Sequence, residues 1–155
     1  MKYVCALITV KEIKRARYFY ETILGQKVIA DYGENITFEG NFALHQEAHF
    51  KTLIDNRSIL QNANNFELYF EENDLDSLYT KLVSHNIEFI HPVREQPWRQ
   101  RVMRFYDYDK NIVEAGERLE YTAYRLYKEG MSTGQIAKVI YFTENQVLDA
   151  IRMFE

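Results

Sequence analysis

The sequence predicts an α+β protein: two βαβββ modules forming a curved mixed sheet, followed by a helical tail. Three observations carry that prediction. An apolar strand, an amphipathic helix and three short extended pieces occur twice, in the same order. A polar, turn-rich stretch, HFKTLIDNRSILQNANN, separates the copies. Beyond Glu117 the periodicity becomes helical throughout. The expected boundaries are 1–50 and 64–117 for the modules, together one domain over 1–117, and 118–155 for the tail.

In the first copy, YVCALITV is apolar on both faces, as suits a strand covered on both sides. KEIKRARYFYETILG then spaces Ile13, Ala16, Tyr20, Ile23 and Leu24 by threes and fours, and Gly25 stands where a helix C-cap glycine belongs. QKVIADY, NITFE and NFALHQE supply three strands, punctuated by Gly33 and Gly40. In the second copy FELYFEE opens as a strand. LDSLYTKLVSHN sets Leu75, Leu78 and Leu82 on one helical face, with Asn73 or Asp74 as N-cap. IEFIHPV, QRVMRFYDY and NIVEAGE complete the set. A four-stranded sheet alone leaves an apolar face bare, so the copies are expected to curve around a shared interior.

Bulk composition narrows the function. In 155 residues, 46% are hydrophobic and 15% aromatic, enough for a real core. The formal charge of −4 argues against a general nucleic-acid or anionic-membrane binder. One cysteine, Cys5, excludes an intrachain disulfide and fits a reducing, cytoplasmic setting. The apolar start is too short for a signal peptide, since Lys11, Glu12, Lys14 and Arg15 follow at once, and no stretch approaches transmembrane length.

Several stretches carry a family likeness. They are Ala16-Arg17-Tyr18-Phe19-Tyr20 with Leu24-Gly25, Phe66-Glu67-Leu68-Tyr69-Phe70 with Asp74-Leu75-Asp76, and Arg104-Phe105-Tyr106-Asp107 with Asn111-Ile112-Val113-Glu114. In this order, on a duplicated βαβββ plan, the chain resembles the glyoxalase, bleomycin-resistance and extradiol-dioxygenase (vicinal oxygen chelate) superfamily. The likeness covers about the first three quarters of the chain. It implies a cup-shaped sheet, a homodimer, and metal ligands projecting inward from the first, fifth and eighth strands. Cys5, Glu67 and Glu114 fall on those places, and His45 on the fourth strand could join them.

The departures count as much. Metal-using members usually present His on the first and fifth strands with Glu on the eighth, whereas this chain offers a thiol and a second carboxylate. Mixing one soft donor with two hard ones is unusual for zinc, nickel, manganese or iron. Cys5 reads equally well as a small core residue, and Glu67 or His45 as an exposed strand residue. Glu114 is expected to face the cavity, because Ile112 and Val113 precede it; an arginine, Arg99, Arg101 or Arg104, could neutralise it instead of a metal. Aromatic walls are available in Tyr69 and in Trp98, which follows Pro97 in a loop. The turn that usually reads DPDG is here Asp107-Tyr108-Asp109-Lys110, and the expense of a positive φ at Lys110 points to another turn type.

In the tail, LEYTAYRLYKEG reads as a helix ending at Gly130, and the following segment resembles a helix-turn-helix. Ser132 caps one helix, Thr143 and Gln146 form a capping box on the next, and Tyr141 stands where the motif usually turns on Gly. Acidic and basic residues balance there, which is not the footprint of a DNA reader. The expected function is binding of a small organic molecule in the cup, using Trp98, Glu67, Tyr69 and Glu114, with no catalytic metal of the histidine type. The alternative is a metal-dependent lyase, isomerase or dioxygenase with Glu114 at the reaction centre. More distant is a ligand-sensing transcriptional regulator.

Overall fold

A computed structural model describes residues 1–155. The chain divides into two compact units, Met1–Phe66 with Tyr106–Ile112, and Glu67–Phe105 with Val113–Glu155. Each contains one module, and the helical tail belongs to the second unit.

In the first unit the strands are β1 (Ala6–Val10), β2 (Val28–Asp31), β3 (Asn35–Phe38) and β4 (Phe42–Gln46). Their order is β1-β4-β3-β2, with β1 parallel to β4 and the remaining pairs antiparallel. β1 and β4 are direct neighbours, with β3 and β2 lying beyond β4, while helix α1 (Ile13–Arg17) and the π-helical turns Tyr18–Ile23 cover one face. The register puts Ile8 beside Leu44, and Phe38 beside Phe42, so these share that face. Phe19, Tyr20 and Ile23 are buried there, with Tyr20 against Phe38 and Phe42. The π-helical widening is visible in the Leu24 amide, which donates to the Phe19 carbonyl five residues back. Gly25 takes a positive φ of 68°, as a C-cap glycine does.

The stretch after β4 is not all connector. Residues Glu47–Leu53 form helix α2, directly continuous with the strand. Phe50 packs edge-on against His45, five residues back on the strand that the helix continues.

The turn at 107–110 also departs from expectation, for Lys110 does adopt φ 67°. Asp107, 5% exposed, compensates for the strain. Its carboxylate accepts from the Asp109 and Asn111 amides, the Asn111 side chain and the Tyr20 hydroxyl, at 2.8–2.9 Å. Burial pushes its pKa up, and those four donors pull it back part of the way. A side-chain scaffold thus replaces the Pro and Gly that would otherwise shape the turn.

The second unit contains β5 (Glu67–Glu71), α3 (Leu75–Ser84), β6 (Phe89–Glu95), β7 (Arg101–Tyr106) and β8 (Ile112–Gly116), with strand order β5-β8-β7-β6. Asp74 caps α3 by accepting from the Ser77 amide. Leu68, Val113, Ala115, Met103 and Phe105 are buried along the sheet with Leu75 and Leu82 of α3. The alternate residues, Glu67, Tyr69, Glu71, Glu114, Gly116 and Arg104, therefore lie on the opposite face.

The tail folds as α4 (Leu119–Lys128), α5 (Thr133–Ile140) and α6 (Glu144–Phe154), packed on Ala123, Leu126, Ile136, Ile140, Val147 and Ile151. The capping box expected on Thr143–Gln146 forms, and Ser132, expected as a cap, forms a second box with Gln135. The tail is locked to its sheet through Glu117, fully buried just after β8. That carboxylate accepts from Arg125 Nη2 at 3.0 Å, and from the Arg101 amide and the Thr122 hydroxyl at 3.2 Å. Arg125 also donates to the Arg99 carbonyl at 2.6 Å.

Tyr141 closes α5 in the left-handed region, φ 61°, with its side chain 88% exposed. A left-handed conformation disfavours a residue with a Cβ by roughly 1–2 kcal/mol. Tyr141→Gly is therefore expected to stabilise the protein by about 1 kcal/mol, read as a rise in Tm of roughly 2–4 °C. A lower Tm would show that the exposed ring makes contacts in solution.

Candidate functional site

The open face of the second sheet brings Glu67, Tyr69 and Glu114 together, as strand alternation predicts. Arg104 of β7 lies between the two carboxylates. Its Nε donates to Glu67 Oε2 at 2.9 Å, its Nη2 pairs with Glu114 Oε2, and its Nη1 is 3.4 Å from His91 Nε2. Glu114 is 6% exposed, and its charge is matched by a guanidinium. Of the three arginines the sequence offers, Arg104 is the partner: Arg101 turns to the other face and holds Asp76 at 2.9 Å.

Beside this pair lies a hydrogen-bonded aromatic corner. Gln100, 6% exposed, donates from Nε2 to the Tyr69 hydroxyl at 3.0 Å and to the Glu117 carbonyl at 2.6 Å. Trp98 donates from Nε1 to Gln100 Oε1 at 2.8 Å. Gln100 therefore links the two aromatics nominated from the sequence. The Tyr69 ring crosses close over Gly116, where an added Cβ would stand 3.0 Å from Val102, 3.2 Å from that ring and 3.3 Å from Gln100. Only a hydrogen at this position lets the ring lie so near the sheet. Burial pushes the Tyr69 phenol up; the Gln100 bond opposes this, and the charges of Glu71 and Glu120 reinforce it.

A groove of about 610 Å³ opens above this corner. Tyr69, Glu71, Gln100 and Glu114 line it from the sheet side, and Leu119, Glu120, Phe142 and Gln146 from the tail. Such a volume suits a drug-sized molecule. Glu71 was legible, since it alternates with Glu67 and Tyr69 on one strand. Phe142 and Gln146 were not, because nothing local ties a helix end to a strand more than seventy residues earlier in the chain.

The two remaining candidates lie in the first unit. Cys5 precedes β1, a half-buried free thiol. His45 shares a sheet face with Thr9 and Asn35, where α2 covers it, and its Nε2 is 2.7 Å from His49 Nδ1. One ring must donate and the other accept across that contact. Burial, then the charge of His49, holds His45 below its ordinary value of 6.5. The folded state thus prefers the neutral ring, and the unfolded chain takes up the proton first. Stability contributed by His45 is present above pH 6.5 and is lost as the pH falls below it. Denaturant midpoints measured across this range are expected to drop on acidification, and His45→Gln to flatten the drop; equal slopes would refute the assignment.

The superfamily likeness implies a divalent metal, and the residues do not fit one. Glu67 and Glu114 are both engaged by Arg104, a cation already in place between them. Nowhere do three or more His, Cys, Asp or Glu side chains gather as a metal site would require. The tentative set of Cys5, His45, Glu67 and Glu114 thus has no support from donor geometry. No helix is long and apolar enough to cross a membrane.

A family model described as a glyoxalase-like domain matches residues 3–120. A crystal structure of a protein of unknown function from Agrobacterium tumefaciens str. C58 is similar at 37% identity and TM-score 0.70, covering 76% of this chain and 94% of that one. A glyoxalase/bleomycin resistance protein/dioxygenase from Nocardioides shares the fold at 18% identity and TM-score 0.60, covering 76% and 83%. So does a lactoylglutathione lyase from Agrobacterium tumefaciens, at 17% identity and TM-score 0.56, covering 75% and 92%. No functionally curated protein gives a significant match.

Proposed function

Because the chain belongs to the glyoxalase-like domain family, we propose that it binds a small organic molecule over the open face of its second sheet, without a metal on Glu67 and Glu114. One observation carries this reading: the groove over Tyr69, Gln100 and Glu114 has the volume and mixed lining of a ligand site. Each floor residue is preset. Gly116 lets the Tyr69 ring approach the sheet closely, Gln100 donates to its hydroxyl, and Arg104 pairs with the Glu114 carboxylate. Little ordering remains for a guest to impose, which favours affinity. A homodimer, as the family likeness suggests, belongs to the same reading and is checked by sedimentation equilibrium.

Trp98 is the only tryptophan, and Gln100 connects it to Tyr69, so its fluorescence reports on the groove. Screening small organic fragments by Trp98 emission and by amide NMR is expected to give coincident, saturable changes at Tyr69, Gln100 and Glu114. Gln100→Ala is expected to weaken them. Changes confined to residues elsewhere would dismiss the groove as the site.

The runner-up reading is metal-dependent lyase, isomerase or dioxygenase chemistry at Glu114. It would gain if zinc, nickel, manganese or iron raised Tm at one equivalent and Glu114→Gln removed the effect.

A further inference from the structure

Resting on that groove, we propose that its ligand is an organic cation, a protonated or quaternary amine on a flat apolar body, and that the C-terminal helices supply the wall recognising it. Charge gives the class. Glu71, Glu114 and Glu120 line the groove, and no Lys or Arg side chain does. The guanidinium groups nearby are already engaged. Arg104 is divided between Glu67 and Glu114, while Arg118 Nε stands 3.7 Å from both Glu71 and Glu120, beyond hydrogen-bond range. Four carboxylates thus face two guanidinium groups, leaving an acidic surplus beside Tyr69. An anion entering here would meet that surplus; a neutral guest would gain nothing from it.

The apolar half of the recognition comes from both sides. Tyr69 offers one aromatic surface and Phe142 another, and a cation near such faces gains further attraction. Leu119 supplies aliphatic surface, while Gln100 and Gln146 provide polar atoms at the edges. Phe142 precedes the Thr143 cap of α6 and Gln146 is the box residue of that cap, so both sit on backbone fixed by its hydrogen bonds. Both also lie beyond residue 120, where the family match ends. Phe142 and Gln146 therefore stand outside the part of the chain that the family match covers.

The test uses three probes of one skeleton, 3-phenylpropylamine, 3-phenylpropanol and 3-phenylpropanoate, titrated into the full chain and followed by amide NMR and Trp98 emission. The amine is expected to bind about tenfold tighter than the alcohol, and the carboxylate weakest, since a cation at an aromatic face with carboxylates beside it gains roughly a factor of ten. Glu71→Gln and Glu120→Gln are each expected to reduce amine affinity by about two- to fivefold and leave the alcohol unchanged. Phe142→Ala is expected to weaken amine and alcohol alike. If the alcohol matches the amine while both map to the groove, the cation class is wrong and the groove stands. If Phe142→Ala changes neither, the helical wall is wrong. If no probe perturbs Tyr69, Gln100 or Glu114, the groove reading and this proposal fall together.

Discussion

Glu117→Ala is expected to lower stability by about 3–5 kcal/mol, the penalty for removing one partner of a buried ion pair. For a chain of this size that is a Tm drop of roughly 6–20 °C. The effect is large because one fully buried carboxylate, just after β8, ties β7 to α4. It accepts from the amide that opens β7, from Thr122 in α4 and from the Arg125 guanidinium. Without it, Arg125, 17% exposed, keeps its hydrogen bonds to the Arg99 carbonyl and Glu129 but loses its buried counter-charge. Glu117→Gln retains some hydrogen-bond capacity and is expected to lose less. Since α4 also borders the groove, protection from amide exchange at Thr122, whose amide donates to the Arg118 carbonyl, is expected to fall in both variants. A Glu117→Ala protein with unchanged Tm and exchange would show that the tail is held by its apolar contacts alone.

Arg104→Ala is expected to cost about 3 kcal/mol, near the lower end of the buried-pair range because the guanidinium is partly exposed. The loss is electrostatic in origin: Glu114 stays buried with no cation, and Glu67 faces it. Two further results follow from that cause. Adding Glu114→Gln to Arg104→Ala is expected to recover part of the stability, since the unpaired charge is gone; a strictly additive double variant would show no coupling between them. A divalent cation is also expected to stabilise Arg104→Ala more than the unaltered chain, because the two carboxylates then lack an internal counter-ion. Equal thermal shifts in both proteins would mean that Arg104 does not stand in for a metal.

The αL turn at Lys110 shows where local rules stop. Lysine there argues against a positive φ, and by itself it would be avoided. Asp107 reverses the balance with four hydrogen bonds, one of them from Tyr20, far back in the chain. Helix α2 is a second example. Its sequence carries only Ala48, Phe50 and Leu53 as apolar residues, too few for a helical stripe, and it forms where the chain packs back on β4, with Phe50 edge-on to His45.

Sequence alone determined the repeated strand–helix–strand order, the capping of the helices and the side of each strand on which Glu67, Tyr69 and Glu114 stand. Those features follow from periods of 2 and 3.6 residues and from hydrogen bonds spanning three or four positions, all local in the chain. Only the tertiary structure decided that Arg104 bridges both carboxylates, that Gln100 ties Trp98 to Tyr69, and that Phe142 faces the same groove. Each of those depends on strand order and helix packing, which bring together residues whose separation along the chain carries no periodic signal.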